Sequence, residues 1–277
     1  MKPKAWLALA LSTGGLGAQV FPAAISTLSS GQIVVADLHR RLLIIDPQSR
    51  KMQDLPLPFT PTDIAAGGRA EENLIFTVLH GSRPALSAVV QYSTAGRELR
   101  RWAVPGGDPA GVAFDYPRRR VYVAALPASV YYIDLNDAGG LAKYIAEVPD
   151  AHGLGALIVD AGGDQIYVAS PFDGKVFGLS VSARKSSVII DNLGEPSALA
   201  VGRSGPVLYV ADRTKHSVLA VRLDMKSPRL STFWSSKQLR MPDGLALDST
   251  NTLWVADGES NALFAISPAG QLIAKFP

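Results

Sequence analysis

Hydrophobic and polar positions repeat along the chain. Five repeats contain a short apolar run that ends on a small or acidic residue, as in 34–37 (VVAD) and 255–257 (VAD), and a weaker sixth copy is 75–79 (IFTVL). The runs end at positions 37, 79, 125, 170, 212 and 257, so consecutive copies are 42, 46, 45, 42 and 45 residues apart. A period of this length, filled with short strands and turns, is typical of propeller blades. The pattern predicts an all-β, six-bladed β-propeller.

Each repeat predicts one four-stranded antiparallel blade. In the last repeat, strands at 244–247, 253–256, 263–266 and 272–276 are separated by polar, Pro- or Gly-containing turns. The blades are expected near residues 21–58, 59–105, 106–149, 150–193, 194–236 and 237–277. No blade is shared between the termini in this arrangement, so ring closure depends on packing of the first blade against the last.

The second repeat departs from the others. Its loop at 79–85 is longer, and an extra polar run occupies 67–73. Insertions in repeat proteins usually map to one face, which is often the binding face.

The first 18 residues predict a secretory signal peptide. Lys2 and Lys4 precede the apolar run 6–11, and small residues follow as far as Ala18. Cleavage after Ala18 leaves one propeller domain, 19–277, exported to the periplasm or the extracellular space. An uncleaved anchor is the alternative, but the apolar run is too short to span a bilayer. No later stretch predicts a membrane span.

Composition limits the remaining possibilities. The chain has no cysteine, so its stability depends on its core and on no disulfide. Without Lys2 and Lys4, 25 basic residues oppose 24 acidic ones, which gives nucleic-acid binding no support. We expect a monomer.

The segments 241–248 (MPDGLALD), 253–257 (LWVAD) and 195–201 (EPSALAV) resemble the NHL repeat. The same turns are more distantly similar to the regucalcin/gluconolactonase family of six-bladed propellers. That resemblance implies calcium or another divalent cation near the axis, with Asp243 as a metal ligand. At the other ligand positions that the resemblance implies, the family has Asn where this chain has Ser197, and Glu where this chain has the segment 21–24 (FPAA).

The first strand's start and the second strand's end lie on one propeller face near the axis, so residues there are funnel candidates. From the six starts we take Ala23, Asp63, Ala110, His152, Ser197 and Asp243; from the ends, Asp37, Asp212 and Asp257. The three end carboxylates either accept N–H bonds from the following loop or rim a polar funnel. Two interpretations of Asp63, Asp243 and His152 remain open. The carboxylates and the histidine could face one another across the funnel and serve as acid and base. Alternatively, Asp63 caps its turn and His152 is a loop residue.

Arginines cluster at 40–41, 97–101 and 118–120. Charged residues at strand edges discourage aggregation, and an anionic partner is the alternative explanation.

Two functions remain. The first is a binding module that holds a small molecule, peptide or glycan in the central funnel and the blade loops. The second is a metal-dependent hydrolase or lyase similar to gluconolactonases. Fold alone does not separate them, because propellers host both.

Overall fold

A computed structural model describes residues 20–68, 73–80, 87–202, 206–225 and 229–276. The chain forms six four-stranded antiparallel sheets, each built from four consecutive strands. The six-bladed propeller that the repeat predicted is confirmed. The predicted signal peptide, 1–18, lies outside the described residues, as do most of the predicted insertions at 67–73 and 79–85.

The strands number 24 in chain order. The first blade has β1 Pro22–Thr27, β2 Ile33–Asp37, β3 Arg41–Ile45 and β4 Met52–Pro56; the second has β5 Thr60–Gly67, β6 Leu74–His80, β7 Ala88–Ser93 and β8 Glu98–Trp102. The third has β9 Asp108–Asp115, β10 Arg120–Leu126, β11 Ser129–Asp134 and β12 Lys143–Glu147. The fourth has β13 Leu157–Val159, β14 Gln165–Ser170, β15 Lys175–Ser180 and β16 Lys185–Ile190. The fifth has β17 Pro196–Val201, β18 Val207–Asp212, β19 Ser217–Arg222 and β20 Leu230–Ser235; the sixth has β21 Pro242–Leu247, β22 Leu253–Asp257, β23 Ala262–Ile266 and β24 Leu272–Phe276.

The middle strands are apolar at successive positions because both faces of each blade are buried. Side chains alternate across a strand, so neighbouring residues serve different interfaces. In β2, Val34 and Ala36 pack toward the second blade, whereas Ile33 and Val35 pack toward the sixth. Six apolar cores, one between each pair of adjacent blades, therefore hold the ring together.

The ring closes by side-chain packing. No strand of the described residues is shared between the first and last blades. Ile25 and Val35 of the first blade pack with Trp254 and Ala256 of the sixth. The Thr27 hydroxyl also donates to the Leu247 carbonyl at 3.0 Å.

The innermost strand of each blade is its first. β1, β5, β9, β13, β17 and β21 contact one another in sequence around the axis, and β21 returns to β1. Within the described residues no helix is long and apolar enough to cross a membrane.

Candidate functional site

Five of the six inner strands have a β-bulge near their start, at one end of the central channel. A bulge places two residues of one strand opposite a single residue of its partner. The extra residues are Ala23, Thr62, Ala110, Ser197 and Asp243. In the fourth blade the corresponding position is Gly155, just before β13, whose N–H donates to the Ala169 carbonyl at 2.8 Å. Counting along the sequence placed Asp63 and His152 in this set. The structure has Thr62 and Gly155 there instead, because Asp63 resumes the pairing after its bulge and His152 lies in the loop before β13.

The bulges bring neighbouring backbones together. A Cβ added at Gly111 would lie 2.2 Å from the Gly155 carbonyl oxygen. Only glycine fits this approach of the third blade to the fourth.

The carboxylates at the second-strand ends are buried and bound to backbone. Asp37 accepts from the N–H groups of Phe21 at 3.0 Å and His39 at 2.8 Å. Asp212 and Asp257 repeat the arrangement, each accepting from three backbone N–H groups. All three are fully buried. Each ties the start of the first strand to the loop after the second.

Asp243 is held by an arginine from the neighbouring blade. Arg213 Nε donates to Asp243 Oδ1 at 2.5 Å, and Arg213 Nη1 donates to Glu195 Oε1 at 2.7 Å. Burial raises the pKa of Asp243 to about 6, while the charge and hydrogen bond of Arg213 oppose that rise. The guanidinium supplies the positive charge that faces this carboxylate.

The donor set at the bulges does not fit a divalent cation. Calcium needs several oxygen ligands from different elements. Asp243 is paired with Arg213, the Ser197 hydroxyl donates to the Pro242 carbonyl, and Ala23 has no donor in its side chain. The part of the chain that the structure describes contains no cluster of three His, Asp or Glu side chains suited to a metal.

A cavity of about 580 Å³ follows the axis beyond the bulges. It extends from Asp63 and Asp243 to the turns that follow the inner strands, where Ser29, Gly68 and Pro117 line it. Its other walls are mostly small and apolar inner-strand residues. Neither His152 nor Ser197 is among the described lining residues.

The cavity is acidic. Its charged lining residues, within the described part of the chain, are Asp63, Asp115, Asp160 and Asp243. Asp63 Oδ2 accepts the Val112 N–H at 2.8 Å. Burial raises the pKa of Asp63 to about 7, although the Val112 and Ile64 N–H groups act to lower it. Near neutral pH this carboxyl is close to half ionised, and a cation or N–H donor beside it favours the ionised form.

His152 forms a second polar centre, on the face with the bulges. Its Nδ1 lies 2.6 Å from Asp173 Oδ1, and its backbone N–H donates to Asp173 Oδ2 at 2.9 Å. The buried Ser170 hydroxyl also donates to Asp173. Burial acts to raise the pKa of Asp173, but these bonds lower it to about 2. Asp173 therefore orients an exposed imidazole whose Nε2 is turned away from the pair.

Sequence reasoning missed Arg213 and Asp173. Asp173 had a local signal, since it lies in the Pro-Phe-Asp-Gly turn 171–174 directly after the fourth repeat's strand end. Arg213 immediately follows the Asp at the fifth repeat's strand end, but nothing local links it to Asp243, 30 residues away.

The comparisons assign the family. Residues 87–277 match the SMP-30/gluconolactonase/LRE-like region, and the chain belongs to this family of six-bladed propellers. A curated relative, "Protein STRICTOSIDINE SYNTHASE-LIKE 12" of Arabidopsis thaliana, is 25% identical over 185 residues, which are 59% of this chain and 54% of that one. The chain thus spans about half the length of that relative.

Solved structures share the fold at low identity. A chain of the nidogen/laminin complex has a TM-score of 0.74 at 13% identity, covering 88% of this chain and 92% of that one. Streptogramin B lyase has a TM-score of 0.69 at 10% identity, covering 94% and 84%. The virginiamycin B lyase of Staphylococcus aureus has a TM-score of 0.65 at 10% identity, covering 94% and 85%.

Proposed function

We propose that this protein is an exported propeller that binds a small molecule in its central cavity without a divalent metal. The observation that carries the proposal is the 580 Å³ cavity with Asp63 at its inner end. Ligand sites of proteins commonly have this size, with mostly apolar walls and a few polar groups that orient the ligand.

The charge of the cavity defines the ligand class. Of the four aspartates among its described lining residues, Asp115 is paired with Arg118 and Asp243 with Arg213. Within the described part of the chain, the acidic character therefore comes from Asp63 and Asp160. A cation, or a neutral molecule rich in N–H groups, gains from a poorly hydrated carboxylate, whereas an anion is repelled. The proposed ligand is therefore a small amine or a neutral N–H donor.

A ligand-observed NMR screen tests this function. The probes are fragments in equal cationic, neutral and anionic groups, with EDTA present. We expect mainly cationic fragments to bind, and their signals to fall in Asp63→Asn but not in the exposed control Asp191→Asn. A majority of anionic fragments, or signals that Asp63→Asn leaves unchanged, would contradict the proposal.

Acid–base catalysis is the second candidate function, and the His152–Asp173 pair favours it. A histidine whose Nδ1 is held by a carboxylate presents Nε2 as a base. The assay is lactone hydrolysis in the presence of EDTA, with His152→Gln. A rate that persists without metal and falls at least tenfold in this variant would support catalysis. An equal rate in both proteins would contradict it.

A further inference from the structure

A second concavity, separate from the central cavity, lies between the third and fourth blades. It is on the face opposite the bulges, at the turns after β9, β13 and β15, and has a volume of about 440 Å³. The third blade supplies Arg118 and Arg120 to it, and the fourth supplies residues 162–164 and Arg184. We call this concavity the arginine groove. It contains two members of the arginine cluster at 118–120, for which the sequence left an anionic partner as one explanation.

The groove is electropositive. Its charged lining residues, within the described part of the chain, are Arg118, Arg120, Arg184 and Asp164. Asp164 already accepts from the Ser180 hydroxyl at 2.9 Å and from the Ser182 N–H at 2.8 Å. Asp115 is a further carboxylate beside the groove, paired with Arg118 at 3.2 Å. Three guanidinium groups still oppose two carboxylates, so the groove attracts an anion.

Arg118 is fixed across the boundary between the two blades. Its guanidinium donates to Asp115 of its own blade at 3.2 Å and to the Gly162 carbonyl of the fourth blade. A Cβ added at Gly163 would lie 2.1 Å from Arg118 Nη1, so the guanidinium lies directly against the backbone of this turn. A guanidinium has five N–H donors, and Arg118 therefore keeps donors for a ligand.

Arg120 is fixed as well. Its guanidinium lies over the Tyr132 ring, 5.0 Å from the ring centre, and donates to the Tyr122 hydroxyl. That hydroxyl donates in turn to the Gly163 carbonyl at 3.3 Å. Arg184 completes the set from the exposed turn after β15. Guanidinium groups that are already held in place lose little conformational freedom when they bind a ligand.

The arrangement of the three guanidinium groups indicates the chemistry of the ligand. They enter the groove from two blades and three separate turn or strand positions, each with its N–H donors in a planar fork. A carboxylate has two oxygen atoms in one plane, and a single guanidinium can bind both. A phosphate group carries more charge and has at least three acceptor oxygens that point in different directions. Three guanidinium groups therefore suit a phosphate group better than a carboxylate.

We propose that the arginine groove binds a phosphate group, either free phosphate or the phosphate of a small monoester. The phosphate oxygens accept from Arg118, Arg120 and Arg184, and the groove has room for the body of a small ester beside them. This site is independent of the proposed function, because the central cavity is acidic and favours ligands of the opposite charge.

Isothermal titration calorimetry with inorganic phosphate, glycerol 3-phosphate and acetate tests the proposal. The ionic strength is kept constant, because salt screens exposed charges. We expect phosphate binding, and we expect acetate to bind at least tenfold more weakly. Tighter binding of glycerol 3-phosphate would support a monoester as the ligand, whereas equal or tighter binding of inorganic phosphate would support the free ion.

The double variant Arg120→Gln/Arg184→Gln should lose at least tenfold in phosphate affinity, because it removes two of the charged donors to the oxyanion. The matched control is Arg119→Gln, which removes the same charge from the same cluster at a residue that is not among the described lining residues. It should change the affinity by less than threefold. Arg184→Gln alone, at an exposed position, should lose at least threefold and replaces the double variant if that protein does not fold.

Absence of binding by both phosphate compounds would overturn the proposal, as would acetate binding as tightly as phosphate. Unchanged affinity in the double variant, or in Arg184→Gln where that protein replaces it, would also overturn it. An equal loss in Arg119→Gln and in the groove variants would overturn it too, because such a result would show a general attraction of anions to a basic surface.

Discussion

Replacing Asp63 by Asn should stabilise the protein increasingly as the pH rises. Burial raises the pKa of this carboxyl from 3.8 to about 7 on folding. Between these two values the unfolded chain has released the proton and the native state still holds it. Stability is therefore lost as the pH rises from about 4 to about 7, and the loss persists above pH 7.

The magnitude follows from the two pKa values. A rise from 3.8 to about 7 corresponds to about 4 kcal/mol of lost stability at pH 8. The Asp63 residue is partly exposed to solvent, and solvent screens its charge, so we expect roughly half of this, about 2 kcal/mol. Asn retains a carbonyl oxygen for the Val112 N–H, so the substitution mainly removes the titration.

Urea unfolding of the unmodified protein and Asp63→Asn between pH 4.5 and pH 8 measures the effect. The free energies of unfolding should be similar at pH 4.5, and Asp63→Asn should become the more stable protein by about 2 kcal/mol at pH 8. A difference that stays constant with pH would refute the reasoning, because it would mean that Asp63 titrates as it does in the unfolded chain.

Three further substitutions test the close packing at Gly111, the pairing of Arg213 with Asp243, and the hydrogen bonds of Asp173. Gly111→Ala should cost about 2–4 kcal/mol in urea unfolding because of the Gly155 carbonyl, whereas Gly140→Ala, with open space around it, should cost less than about 1. Arg213→Gln should destabilise more at pH 8 than at pH 5, since its ionised partner is then left unpaired. Asp173→Asn should cost about 2 kcal/mol at pH 7, a loss that disappears as the pH falls from 3.8 towards 2.

The blades were predictable because their cause is local. Short apolar strands, turn residues and the period of the strand ends are all visible in the sequence. Acceptance of backbone N–H bonds by Asp212 and Asp257 was one of the two roles that the sequence suggested. It could be foreseen because the N–H donors lie in neighbouring segments of the same blade.

The site was less predictable because contacts between blades create it. The bulge of the second blade is at Thr62, one residue before the position that counting assigned, and Asp63 lines the cavity instead. The pairing of Arg213 with Asp243 joins the fifth blade to the sixth, and no periodic pattern reports such a contact. The cavity itself depends on how six inner strands are spaced around the axis.

The most direct test of the central claim is the fragment screen repeated with EDTA and then with calcium. The account predicts that cationic fragments bind equally well in both conditions and lose their signal in Asp63→Asn. Binding that appears only with calcium and disappears in Asp243→Ala would contradict it, and would place a metal at the bulges instead.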